Sequence, residues 1–143
     1  MSKIRDNYIL NNFPGGVCIT APDGTVHDAN QELADILGYQ DIDELKKVRT
    51  QNFYANLIDR ENLVEQLKNG IVKNYRIQGK RKNGEIIWLS ISTNPLKDDK
   101  GNIEYIDFIE DVTDQVITRE KLRKQEARYK AIVEDQTEYI FRW

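Results

Sequence analysis

Three β-type runs follow one another between residues 71 and 110, and the turns between them constrain this chain more than any other feature. The first, Lys73-Asn74-Tyr75-Arg76-Ile77-Gln78, leads to Asn83-Gly84, a pair whose positive-φ tolerance suits the tight turn of a hairpin. Ile86 to Thr93 forms the return strand, and Asp98 to Gly101 makes another turn. Ile103 to Glu110 supplies the last strand, with apolar residues at 103, 106, 108 and 109 plus Tyr105. An earlier pair has the same texture: Val17-Cys18-Ile19-Thr20 is closed by Pro22-Asp23-Gly24, and Thr25-Val26-His27 completes a hairpin.

Between the two β segments the periodicity turns helical. Asn30 precedes Leu33, Ile36 and Leu37 at helical spacing, with Gly38 where a left-handed cap would stop the helix. Ile42, Leu45 and Val48 mark a second brief helix. Phe53, Tyr54, Leu57 and Ile58 form an apolar cluster, and Glu61 to Lys68 makes a further helix ended by Asn69-Gly70. At the start, Ile4, Tyr8, Ile9 and Leu10 place one apolar stripe on a polar helix that Pro14-Gly15-Gly16 ends. After Asp111-Val112-Thr113-Asp114 the chain is charged and free of Gly and Pro as far as Glu134, which predicts one continuous helix. Leu122 and Tyr129, seven residues apart, with Val116, Ile132 and Val133, sketch the seam of a parallel coiled coil; a solvated helix packing on its own domain is the alternative.

Composition narrows the function classes. A chain of 143 residues, 39% hydrophobic and 31% charged, suits one compact domain with some excess length. The single cysteine, Cys18, excludes an intramolecular disulfide and any cysteine-based metal cluster. A net charge of −3 offers no overall field for a polyanion, so nucleic acid is not an expected partner. No apolar run approaches the ~20 residues that span a bilayer, and Met1-Ser2-Lys3-Ile4-Arg5-Asp6 lacks the apolar stretch of a secretory signal. A cytoplasmic location is expected, with membrane anchoring left to other parts of a parent protein. Catalysis finds no foothold: there is no phosphate-cradling Gly-rich motif, no Ser or Cys beside a usable histidine, and no evident carboxylate pair.

Asp23-Gly24 before Asn30, the run Ala34-Asp35-Ile36-Leu37-Gly38-Tyr39, the hairpin Arg81-Lys82-Asn83-Gly84-Glu85-Ile86-Ile87-Trp88, and Asp111-Val112-Thr113 occur in the order and spacing of the PAS (sensory box) family. Over residues 8–114 the chain resembles that family. The resemblance implies an α+β fold: a five-stranded antiparallel sheet with short helices over one face, enclosing a filled or vestigial pocket, plus an N-terminal amphipathic helix and a C-terminal linker helix. It divides the chain into a cap helix (1–12), a PAS core (13–114), a signalling helix (115–134) and the truncated start of a second PAS domain (135–143). That last piece follows from Arg128-Tyr129 to Phe141 and from a weak repeat that lays Ile132-Val133 over Ile9-Leu10. Asp111 and Thr113 then mark the junction from sheet to output helix, with Leu122 on the helix beyond; a simple helix cap is the plainer role for Asp111 and Thr113.

Alternation along the strands converts this fold into pocket candidates, because residues two apart share a face. By analogy with other PAS sheets, Cys18, Thr20, Tyr75, Ile77, Leu89, Ile91, Thr93, Tyr105, Asp107 and Ile109 point inward, joined by Phe53, Tyr54 and Leu57 from the connecting segment. Asp107 is the sharpest of these, since a carboxylate there needs partners, although a bulge could turn it to solvent. The opposite face carries Ile19, Trp88, Ile106 and Phe108, so it too must be covered, by the N-terminal helix, a second protomer, or both. A homodimer through that helix, the outer sheet face and the linker helix is the expected assembly. No cofactor is expected. His27 falls on an early strand and not on a pocket-facing helix where a haem ligand would sit, and Thr50-Gln51-Asn52-Phe53-Tyr54 lacks the reactive cysteine of the flavin-binding light sensors, which leaves Cys18 a packing residue. Arg76, Lys80, Arg81 and Lys82 form a basic cluster that reads as a solvated edge before it reads as a phosphate site. The functional expectation is a sensory module that binds a small ligand or partner and acts through its C-terminal helix on an output domain, a histidine kinase or cyclic-nucleotide enzyme of a two-component type pathway. Two alternatives stand beside it: a ligand-free dimerisation or spacer module, and a flavin or haem redox or gas sensor.

Overall fold

The computed structural model describes the backbone of residues 8–140 and the side chains of residues 8–134. Ile4, and with it most of the expected cap helix, lies outside the described residues, as do the side chains of Tyr139, Ile140, Phe141 and Trp143. The chain divides into two compact units, Met1–Val112 and Thr113–Trp143.

In the first unit, helical residues 8–12 (α1) lead into β1 (Gly16–Thr20) and β2 (Val26–Ala29). Next come α2 (Gln31–Leu37), α3 (Ile42–Lys46), a 3-10 turn (Thr50–Phe53) and α4 (Leu57–Leu67). Three long strands complete it: β3 (Val72–Lys80), β4 (Ile86–Lys97) and β5 (Ile103–Asp111). They form one five-stranded sheet in the order β2-β1-β5-β4-β3, antiparallel at every pairing. β1 pairs with β2 on one side and with β5 on the other, so the centre of the sheet joins segments some ninety residues apart, Cys18 opposite Asp107.

Local chemistry explains the helix limits. Asn30 accepts from Leu33 N at 3.0 Å as N-cap of α2, and Gly38, at φ +80°, ends it. Asp41 caps α3 through Glu44 N at 2.8 Å. Asn56 accepts from Ile58 N at 3.1 Å, so α4 starts at Leu57, four residues before the start that its apolar spacing predicts. The main core lies between the inner sheet face and these helices, with Leu33, Leu37, Leu45, Ile77 and Leu89 almost fully enclosed. A second core covers part of the outer face, where Leu10, Ile9 and Phe13 pack with Val17, Ile19, Ile106 and Phe108. Apolar residues on both faces of β1 and β5 are thus buried by helices on one side and by the α1 region on the other.

The second unit is a single helix, α5 (Thr113–Ile140). It runs six residues past Glu134, because Asp135 to Ile140 contains neither Gly nor Pro to stop it. Leu122, Tyr129 and Ile132 are more than half exposed along it. No helix among the described residues is long and apolar enough to cross a membrane.

Candidate functional site

Strand register assembles one polar cluster inside the main core. Asp107 on β5 lies opposite Cys18 on one side and Thr93 on the other, so the three side chains stand in a row across the sheet. Thr20, two residues along β1, shares their face. Three donors converge on the Asp107 carboxylate. Thr93 Oγ1 donates to Oδ1 at 2.6 Å, while Thr20 Oγ1 and Cys18 Sγ donate to Oδ2 at 3.1 and 3.5 Å. Asp107 is 9% exposed and therefore not turned outward by a bulge.

Burial decides the electrostatics. Loss of hydration raises the Asp107 pKa above the ordinary carboxylate value, and hydrogen bonds from Thr93, Thr20 and Cys18, with the more remote charge of Arg60, oppose the rise without cancelling it. Burial, then the charge of Asp107, pushes the Cys18 thiol and the Tyr54 phenol upward, so both stay protonated at neutral pH. A protonated thiol is a poor nucleophile and metal ligand, which makes Cys18 a hydrogen-bond donor in this site.

Beside this cluster lies a cavity of about 50 Å³. Cys18, Thr20, Phe53, Tyr54, Ile77, Leu89, Ile91, Thr93, Tyr105, Asp107 and Ile109 all line it. Tyr75 and Leu57 do not. Tyr75 shares the inner face, opposite Ile91, but packs into the core beside the cavity. Leu57 is 55% exposed, because α4 turns Leu63 and Leu67 inward and leaves its first turn to solvent. Ala21, Leu37, Thr50, Arg60, Leu63, Val64 and Leu67 complete the lining. Leu63, Val64 and Leu67 are apolar at helical spacing along α4, whereas Arg60, a charged residue, carries no such signal in the sequence. It lines the cavity while tying α4 to the β1–β2 turn, where Arg60 Nη2 donates to Pro22 O at 3.1 Å and Gln51 Nε2 to Asp23 O at 2.9 Å.

A glycine brings the roof onto the sheet. Tyr54 forms an isolated antiparallel bridge to Gly79, and Ala55 N donates to Gln78 O at 3.0 Å. A methyl group at Gly79 would overlap the Leu89 side chain and come within 3.3 Å of Phe53 O. Glycine here leaves room for the Leu89 side chain and eases the close approach of Phe53 O to β3.

The other expected sites separate from the cavity. His27 is on β2, its Nδ1 2.8 Å from Glu104 Oε2, and does not line the cavity. Arg81 reaches Asp111 Oδ2 at 3.4 Å and Lys82 reaches Glu44 Oε1 at 2.9 Å, while Arg76 stacks 5.8 Å from the Trp88 ring centroid. Three of the four basic residues, Arg76, Arg81 and Lys82, are thus engaged by separate partners within the unit. Among the described residues no three potential ligands converge to hold a metal ion. At about 50 Å³ the cavity is small beside the roughly 300–1,000 Å³ of pockets that hold drug-sized ligands.

The model of the PAS domain family matches residues 14–114. The chain belongs to the PAS domain family. PAS domains are in general sensory, non-enzymatic modules. The biofilm dispersion protein BdlA of Pseudomonas aeruginosa is 31% identical to this PAS domain over 85 residues, 57% of this chain and 20% of that protein. The chain thus spans about a fifth of that relative's length. An RNA-binding light-oxygen-voltage receptor, 19% identical, superimposes with a TM-score of 0.70 over 88% of this chain and 38% of that one. The PAS domain of a LuxR-family transcriptional regulator from Burkholderia thailandensis, solved in complex with ethanol, is 20% identical and aligns with a TM-score of 0.61 over 74% and 96% of the two chains. At these identities the structural likeness is one of fold.

Proposed function

We propose that this PAS domain is the sensory part of a signalling protein, taking a small polar molecule into its cavity and passing occupancy through Asp111 and Thr113 to α5. The carrying observation is the position of Asp107. A buried, multiply hydrogen-bonded carboxylate beside a cavity sits on the strand that ends, four residues later, at Asp111. Asp111 is tied to Arg81 of the β3–β4 hairpin, and Val112 N donates to Trp88 O at 2.9 Å, so strain in the sheet has a covalent and hydrogen-bonded route to the start of α5. The ethanol held by the Burkholderia PAS domain is of the size this cavity admits. An output domain, a histidine kinase or cyclic-nucleotide enzyme, and a homodimer joined through α1, the outer sheet face and α5 complete the proposal.

Native mass spectrometry of the protein purified from its own host tests this. A stoichiometric small-molecule adduct, lost in a variant that fills the cavity such as Ala21→Leu, is the expected result. A bound ligand at a hundred times its Kd also stabilises the fold by about 2.7 kcal/mol, readable as a rise in melting temperature. The smallness of the cavity favours one second reading, a ligand-free spacer in a tandem array; it predicts no adduct and no ligand-dependent melting shift.

A further inference from the structure

We infer that the cavity takes a short zwitterion, an amino acid of glycine's size, with its ammonium on Asp107 and its carboxylate on Arg60. This rests on the small-ligand reading above and goes beyond it by naming the ligand's chemistry. Two opposite charges line one cavity, Asp107 from β5 and Arg60 from α4, yet among the described residues no ion pair joins them. Both have capacity left. A carboxylate offers roughly four acceptor positions, and Thr93, Thr20 and Cys18 fill three of those on Asp107, leaving Oδ1 with a single donor. Arg60 is half-buried and spends one Nη2–H on Pro22 O, leaving the rest of its donor fork.

Charge logic selects among ligands. A neutral molecule gives neither group a counter-charge; a simple cation is repelled by Arg60, and a simple anion by Asp107. A zwitterion satisfies both. Phe53, Tyr54 and Tyr105 add aromatic rings to the wall, surfaces that favour an ammonium group. Size sets the upper limit. A cavity of about 50 Å³ holds roughly three to five water-sized groups at about 10–15 Å³ each, and glycine has about five non-hydrogen atoms. Larger side chains would meet Leu63, Leu67 and Ile91.

Isothermal titration calorimetry of the full chain with glycine, methylammonium, acetate and ethanol tests the inference. Saturable one-to-one binding of glycine is expected, with methylammonium and acetate each at least tenfold weaker. Asp107→Asn and Arg60→Gln should each weaken glycine binding at least tenfold. Arg60→Gln changes a half-exposed helix residue, so it keeps the test decisive if Asp107→Asn fails to fold. Ethanol binding without glycine binding, or glycine binding indifferent to Arg60→Gln, overturns the zwitterion while the small-ligand reading stands. No saturable heat from any of the four probes, with no adduct on protein from its own host, overturns both.

Discussion

Asn30 shows how much one side chain can hold. Its Oδ1 accepts from Val17 N at 2.9 Å and from Leu33 N at 3.0 Å, and its Nδ2 donates to Gly15 O at 2.9 Å and Leu10 O at 3.2 Å. One buried amide thus joins the end of α1, the start of β1 and the N-terminus of α2. Asn30→Ala removes a helix cap and strands buried backbone groups, and should cost about 2–4 kcal/mol in urea unfolding; a loss below about 0.5 kcal/mol would contradict the role. The helix cap was legible in the sequence, whereas the contacts to Leu10 and Gly15 depend on where α1 lies. Asp107 gives a pH prediction. Its folded pKa lies above the ordinary value of 3.8, so between 3.8 and the raised value the folded state holds more protons than the unfolded state. In that window stability falls as pH rises. Asp107→Asn should remove this slope, so wild-type stability measured against the variant declines with pH across the window. A carbon-13 titration should place the Asp107 carboxyl midpoint above the ordinary value, and a midpoint at or below it would refute the burial argument.

At the scale of elements, the strands extend beyond their sequence patterns where pairing allows. β4 continues four residues past Thr93, through Pro95, to Lys97. A proline breaks most central strands, but β3 pairs with β4 only as far as Thr93, so the missing N–H of Pro95 removes no ladder bond on that side. On its other side Pro95 stands opposite Tyr105 of β5, and that pairing carries the strand on to the Asp98–Gly101 turn. Gly79 has the opposite importance: nothing in the pattern of β3 marked it, yet it admits the segment that brings Phe53 and Tyr54 over the sheet. Gly79→Ala should destabilise the protein by about 1–3 kcal/mol through overpacking against Leu89. Gly79→Ala combined with Leu89→Val should recover part of that loss in thermal unfolding, which a purely conformational effect at residue 79 would not allow.

On the scale of the whole molecule, the sheet-centred unit and α5 separate at Val112. α5 exposes Leu122, Tyr129 and Ile132 in a largely charged helix, and the proposed homodimer would bury that stripe between two copies. Sedimentation should therefore give a dimer for the native chain and a monomer for Leu122→Asp at the same concentration; an unchanged dimer mass for the variant would remove α5 from the interface. The sequence by itself determined the order of strands and helices, the hairpin turns, and which face each strand residue occupies, since turn chemistry and two-residue alternation act within a few residues. Asp107 could be named as a pocket candidate on that basis. Only the tertiary structure decided that its partners are Thr93, Thr20 and Cys18, that Arg60 reaches the same cavity, that Leu57 does not, and how little space remains. Those outcomes depend on the pairing of β1 with β5 and on the seating of α4 over the sheet. A cavity is the small volume left over when distant segments pack, and no local pattern carries that remainder.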